Sequence, residues 1–397
     1  MEMGRVAMKT VIAILAALAC ASCGGGSSGS VSDPPASASA APPPSTTSPP
    51  TPTTPPPSSG TPSADPPFYK IVEIPRLATT GSVTANGVND QGIVVGAQET
   101  TASPRAWMYQ QSSGALDELT FDPSEMGAYA NGISNSGMIA GAEIPAGGAP
   151  EPGYWTVTGG SELLTGQYQS FAQAAAANDS GTIIGNYGQS GTLSGLPLVW
   201  TAPGYAQTTL PGLECDQCTR LDATASAIND AGLIVGSSNY TAGMHAVEWQ
   251  NGAITDLGGL QGATYSAAYS ANNSGEIVGG SRVDQSSGAP THAFLYSQGA
   301  MTDLGTLAGD SSSSANSIND SGRIVGVSQT DTTSRAFLYE NGEMYDLNTL
   351  IDPTSPLAGQ VSLQEAIAIN TNGWIVVDGT DSNDPGWTRA FLLIPSP

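Results

Sequence analysis

From Phe68 to the C-terminus, apolar and polar positions follow one another in short bursts. In "SINDSGRIVGVSQTDTTSRAFLYENGEMYDLNTL", residues 317–350, β-branched residues flank an Asn-Asp-Ser-Gly cluster, and the apolar run "RAFLY" precedes a second turn at Asn341-Gly342. Asn and Asp hydrogen-bond their own backbone and Gly accepts positive φ, so the first cluster predicts a hairpin. Asn-Gly between apolar flanks predicts another. The stretch thus reads as four short strands joined by tight turns. No segment carries the period of an amphipathic helix, and the alanine run at 174–177 falls inside the same strand-and-turn pattern.

The unit recurs. Its centre appears as "VNDQGIVVG", "ISNSGMIAG", "ANDSGTIIG", "INDAGLIVG", "ANNSGEIVG", "INDSGRIVG" and "INTNGWIVV", with the turn glycine at Gly92, Gly137, Gly181, Gly232, Gly275, Gly322 and Gly373. The spacings are 45, 44, 51, 43, 47 and 51 residues. The second half reads "RAWMY", "HAVEW", "HAFLY", "RAFLY" or "RAFLL" in five copies, and "PGYW" or "PLVW" in copies two and three. A repeated four-stranded unit of this length is a propeller blade, whereas solenoid rungs are shorter and need capping ends. Copy seven stops at "RAFLLIPSP" without a fourth strand, and "FYKIVEIPRL" stands before copy one with Glu73 where Asp346 stands in copy six. The expected fold is therefore all-β: a seven-bladed β-propeller of four-stranded blades over residues 67–397, closed by the N-terminal strand joining the C-terminal blade. Such closure removes free strand edges.

The segments "INDSGRIVG", "RAFLYENGEMYDLNTL" and "THAFLYSQGAMTDLGTL" resemble the HAF-repeat family of bacterial extracellular proteins, over about residues 68–394. The resemblance implies an extracellular setting and carries over no enzymatic role.

Residues 1–23 read as a signal peptide. Lys9 precedes the apolar run from Val11 to Ala19, too short to span a bilayer, and small residues and cysteines follow. Cys20 after Leu18-Ala19 and Cys23 after Ala21-Ser22 both resemble the lipidated cysteine of a bacterial lipoprotein, and Cys23 leads straight into a Gly/Ser tether. No acidic residue follows either one, which in such lipoproteins points to the outer membrane. Residues 24–66 are Gly/Ser and then Pro/Ser/Thr, a disordered stalk with polyproline II character. Its reach is at most about 130 Å. The expected location is the outer membrane or cell surface, otherwise the periplasm or the exterior, with membrane contact only through the lipid.

Charge narrows the chemistry. There are 34 acidic against 10 basic residues, a net charge of -24, and only two histidines, His245 and His292. Nucleic acids and anionic membranes need basic patches and are excluded as partners; a self-repelling monomer is expected. Cys215 and Cys218, in "CDQC", are expected to form a disulfide in an exported protein. No zinc set or other metal site is complete. Calcium is the best cofactor candidate, at "DGTDSND" from Asp378 to Asp384, but EF-hand spacing is absent and a solvated acidic loop is the simpler reading.

Placing Asn341-Gly342 at a two-residue turn pairs Glu340 with Glu343, Phe337 with Asp346 and Arg335 with Asn348, which sets Arg335 and Asp346 on one face as diagonal neighbours. The same construction matches His292 with Asp303, His245 with Asp256, Arg105 with Glu118 and, across the termini, Arg389 with Glu73. These are expected to be structural ion pairs, not a catalytic ring. Copy three has Leu196 and Thr209 in these places, and copy two has Glu151 and Glu162. No catalytic set is recognised, although the symmetry breaks around Glu143, Glu151 and Tyr187. The expectation is a surface-tethered binding or scaffold module for a protein or glycan. The alternative is a propeller hydrolase or lyase acting on polysaccharide through carboxylates on one face.

Overall fold

The computed structural model describes residues 66–396, apart from 165, 167–170, 189–194, 215–221, 241–242 and 285–288. The described chain is built of antiparallel strands, and its helical segments are the short 3-10 turns Leu260–Gly262 and Leu347–Leu350. Copies one, two, five and six each form a four-stranded sheet whose strands run in chain order. Copies three and four share one sheet, joined through the single pair Gly195–Ala223, where separate sheets were expected. The fourth sheet strand of copy seven is Tyr69–Glu73, which pairs antiparallel with Asp384–Pro395 from Tyr69–Pro395 to Glu73–Phe391.

Local chemistry explains each element. The turn glycines of all seven copies have positive φ, and Asn341 and Gly342 do as well, as a type I′ hairpin requires. The glycine that ends "RIVG" answers to a different demand: a Cβ on Gly326 would lie 2.0 Å from Ser314 O and 3.0 Å from the Phe337 ring. The first strand comes this close because it bulges at one fixed place in every copy, as between Ala315 and Ser317. Each bulge re-aims one side chain sideways. Asn86, Asn131 and Asn316 use it to donate to Ala130 O, Ala174 O and Ala366 O of the following copy, at 2.7, 2.8 and 3.0 Å.

The core lies between neighbouring sheets. Val95, Ala106 and Met108 of copy one pack with Ala128, Ile139 and Trp155 of copy two. Val94 and Trp107 of copy one also pack with Val376, Ala390 and Leu392 of copy seven. Every copy supplies at least one fully buried ring: Trp107, Trp155, Trp200, Trp249, Phe294, Phe337 and Phe391. Burying such a ring contributes roughly 1.5–3 kcal/mol.

Polar groups repeat the arrangement. Asn319 Oδ1 accepts from Ser321 N and Arg323 N inside its own turn, while its Nδ2 donates to Asn370 O of the next copy at 2.9 Å. Equivalent bonds run from Asn178 to Asn229 O, Asn229 to Asn272 O, Asn272 to Asn319 O, and Asn89 to Ser134 O. Copy two has Ser134 at this place, whose hydroxyl bonds within its own turn, to Ser136 Oγ at 2.8 Å and from Met138 N at 3.1 Å. The following residue adds a second rung, in which Asp179 N, Asp230 N and Asn273 N each donate to the side chain one copy on, at 2.8–3.0 Å.

Candidate functional site

The base–acid pairs come first, since they recur in five copies. Phe337 pairs with Asp346, and Arg335 Nη1 lies 3.1 Å from Asp346 Oδ2. Pairing stops at Asp346, because its carboxylate caps Asn348 N at 2.9 Å and the chain turns into the 3-10 segment; Arg335 therefore does not face Asn348 in a ladder. Arg335 also meets Asp310 Oδ2 at 3.0 Å and donates to Ala308 O, and Asp310 leads the contacts that hold its guanidinium above its ordinary pKa. His245 Nδ1 sits 2.9 Å from Asp256, and His292 Nδ1 sits 3.0 Å from Asp303. Gly258 and Gly305, at positive φ, bulge the strand so that each aspartate accepts its glycine N–H as well. Burial pushes Asp256 upward, and the bonds from His245 and Gly258 outweigh it and leave its carboxyl below the ordinary range. Arg105 pairs with Glu118. Arg389 reaches Glu73 only at 3.5 Å; its nearer partner is Asp384, at 2.8 Å, which also holds Arg76 at 3.1 Å.

The acidic run considered for calcium is occupied by such duties. Asp378 accepts from Ala85 N, Asp381 caps Asn383, and Asp384 bridges two arginines. Among the described residues no group of three or more His, Cys, Asp or Glu is placed to hold a metal ion. Cys20, Cys23, Cys215 and Cys218 lie outside the described residues.

Copy two departs from this pattern at three linked positions. In copies four to six, Ser238, Ser281 and Ser328 accept a backbone N–H from the incoming connection, at Leu213, Leu260 and Leu307. Gln98 does the same for Leu77 in copy one. Copy two carries Glu143 here, and the incoming residue is Asp122, not leucine. The bond survives, with Asp122 N donating to Glu143 Oε2 at 3.3 Å. Glu143 is 1% exposed, and its second oxygen, Oε1, has no partner.

The third change removes a ring. In copies five and six the connection leucine packs with the ring two residues after the base, Leu260 with Phe294 and Leu307 with Phe337. The corresponding residues of copy two are Asp122, which points to solvent, and Gly153. A Cβ on Gly153 would meet Glu162 O at 3.4 Å, Leu163 Cδ2 at 3.7 Å and Glu143 Cγ at 3.9 Å, so the glycine brings these groups together with no ring between them. The result is a cavity of about 430 Å³ lined by Thr120, Phe121, Asp122, Glu143, Gly160, Ser161 and Leu163.

Its electrostatics are one-sided. Glu151 replaces the base and pairs across the strands with Glu143. Burial, then Glu143, Glu151 and Asp122, push the Glu125 carboxyl above its ordinary range, and Glu125 Oε2 is another buried oxygen without a partner. The Ser124 hydroxyl and N–H hold Asp122 below its own. Glu162, at the acid position, accepts from Tyr154 Oη at 2.6 Å. Met126, Leu163 and Leu196 are three of the five exposed large apolar side chains among the described residues. Glu143 and Glu151 are legible in the sequence as symmetry breaks. Asp122 and Glu125 were not singled out; the signal that could have found them is "TFDPSEMG", which puts Asp122 where other connections carry leucine and a second acid three residues on.

With sheets, connections and cavity in place, the chain can be set beside solved structures. It matches the β-propeller domain of the Trilobed protease from Pyrococcus furiosus with TM-score 0.53 and 9% identity, over 78% of this chain and 95% of that one. The chain folds as a β-propeller. That domain is described as having an open velcro topology, whereas here Tyr69–Glu73 pairs with Asp384–Pro395. It also matches Pyrococcus horikoshii acylaminoacyl peptidase, with TM-score 0.51 and 9% identity, over 79% of this chain and 51% of that one. The propeller thus spans about half the length of the peptidase. No family model matches the sequence, nor does any curated protein. Likeness at this identity concerns the fold alone.

Proposed function

We propose that this protein is a non-catalytic binding propeller, exported and held off a bacterial surface. The ring has seven blades and is closed by Tyr69–Glu73 on the blade of copy seven. Residues 24–66 are its stalk, and Cys20 or Cys23 carries the lipid. The HAF-type repeat, the signal-like leader and the Pro/Ser/Thr segment support the placement.

One observation carries the binding reading: Arg105, His245, His292, Arg335 and Arg389 all lie beside acids, while copy two gathers acids around a cavity with no base. Loops and irregular positions on a rigid repeat are where recognition resides. General acid–base chemistry is favoured by groups free to exchange protons, and the pairing of the bases works against it.

A second reading has its own observation. Glu125 is pushed up and Asp122 held down, and carboxyls with such opposed environments serve as acid and base in glycoside cleavage. A panel of hydrolase and lyase substrates, polysaccharides included, separates the two. No turnover is expected. Robust turnover abolished by Glu125→Gln or Asp122→Asn establishes the enzyme instead. Intact mass of the mature protein tests the anchor and the Cys215–Cys218 disulfide: a lipid adduct and the loss of two protons are expected, and an unlipidated product with free thiols rejects both.

A further inference from the structure

We propose that the copy-two cavity takes a guanidinium on an alkyl stem, as carried by an arginine side chain. This rests on the binding reading above. The repeat itself is the reference. At the position of Glu151 three other copies carry an arginine, Arg105, Arg335 and Arg389, each beside a carboxylate. Copy two keeps the acidic surroundings, adds Glu143 and Asp122, and omits the base.

Glu143 is the observation that points to a ligand. The fold asks one acceptor of this position, and a serine hydroxyl suffices in copies four to six. Glu143 meets that need with Oε2 and brings Oε1 as surplus, buried and unpartnered, on a side chain that lines the cavity. An unpaired buried carboxyl oxygen is costly, and a cationic donor relieves the cost. Glu125, on the neighbouring strand and outside the cavity lining, adds negative charge beside it. A buried carboxylate among further acids calls for several donors in a fixed spread. Guanidinium supplies five in a planar fork, while ammonium is a compact and strongly hydrated charge. Phe121 and Leu163 give the alkyl stem apolar walls. A divalent cation fits less well, because no set of three ligands is assembled.

The test uses the full-length mature protein and ligand-observed NMR titration. The probes are n-butylguanidinium, n-butylammonium, the neutral isostere n-butylurea, calcium chloride, and the capped peptide Ac-Gly-Arg-Gly-NH2. Butylguanidinium is expected to bind at least five-fold more tightly than butylammonium, and butylurea not at all. The peptide is expected to match butylguanidinium, which makes a protein side chain the source; binding of the free guanidinium alone overturns that assignment. Glu143→Ser restores the residue of copies four to six, so the fold keeps its acceptor, and binding should weaken ten-fold or more. Equal binding of butylurea, displacement of the guanidinium by millimolar calcium, or unchanged affinity in Glu143→Ser with a native melting curve each reject the proposal. Such a failure with no turnover on the substrate panel leaves the binding reading intact, whereas turnover lost in Glu125→Gln removes that reading whatever the guanidinium does.

Discussion

Asn370 Nδ2 donates to the main-chain carbonyl of Asn89, 2.9 Å away and 281 positions earlier in the chain. The bond has the form of those that join each turn to the next. Around it, Thr371 N donates to Asp90 Oδ1 at 3.0 Å and Asn372 Nδ2 to Asp90 O at 3.0 Å. The asparagine of six of the seven turns thus serves two structures at once, its oxygen shaping its own turn and its nitrogen holding the neighbour.

That double duty sets a cost. Asn319→Ala removes two caps and one inter-copy bond at a buried site. The expected loss is about 2 kcal/mol, counting the carbonyl of Asn370 left unsatisfied. Urea unfolding monitored by tryptophan fluorescence measures it. A loss below about 0.5 kcal/mol means that water replaces the ladder at little cost.

The strand Tyr69–Glu73 should be indispensable. Tyr69, Ile71 and Ile74 are buried, and Asp352 N adds a bond to Tyr69 O at 2.8 Å. Deleting residues 67–77 bares the edge of Asp384–Pro395, and a bare edge invites aggregation. Lower solubility and a lower, broader melting transition are expected by light scattering and calorimetry. An unchanged transition refutes closure by this strand.

Ion pairs of similar appearance should differ in worth. Arg389 is 4% exposed, and its removal leaves Asp384 and Glu73 without their shared partner. Arg389→Met should cost roughly 2–3 kcal/mol, at the lower end for a buried pair because both acids remain partly exposed. Arg105→Met, in a pair open to solvent, should cost a few tenths. Denaturant midpoints compared at equal slope decide; equal losses mean that burial is not what separates them.

Crowded acids make stability depend on pH. The carboxyl of Glu125 is raised, chiefly by burial and then by Glu143, Glu151 and Asp122. Between its ordinary pKa and its raised one the folded state binds more protons than the unfolded state, so stability falls as pH rises through that window. Glu125→Gln should abolish this slope and stabilise the protein at neutral pH. Melting temperatures from pH 4 to 7.5 provide the measurement, and a wild-type slope retained in the variant assigns the effect to another group.

Much of this was legible in one dimension. Turn chemistry and alternation act between residues close in sequence, so "ENGE" set the register that pairs Phe337 with Asp346 and brought Arg335 to that aspartate. The seven-fold recurrence specified the four-stranded unit, and the split copy told that Tyr69–Glu73 belongs with the other end. Where the local pattern misled, a short-range competitor won: Asp346 caps Asn348 and ends the ladder, and Asp384, five residues from Arg389, outcompetes Glu73.

The cavity could not be read in this way. It needs Asp122 from one copy's exit, and Glu143 and Leu163 from two strands of the next, to meet at ångström distances. Each alone is an ordinary substitution in a degenerate repeat. The empty space and the unpartnered oxygen appear only when sheets pack face to face, because volume and hydrogen-bond satisfaction belong to neighbours in space. The sequence determined the strand unit, its register and where its symmetry fails; the packing of copy one against copy two decided that the failure leaves an acidic hollow.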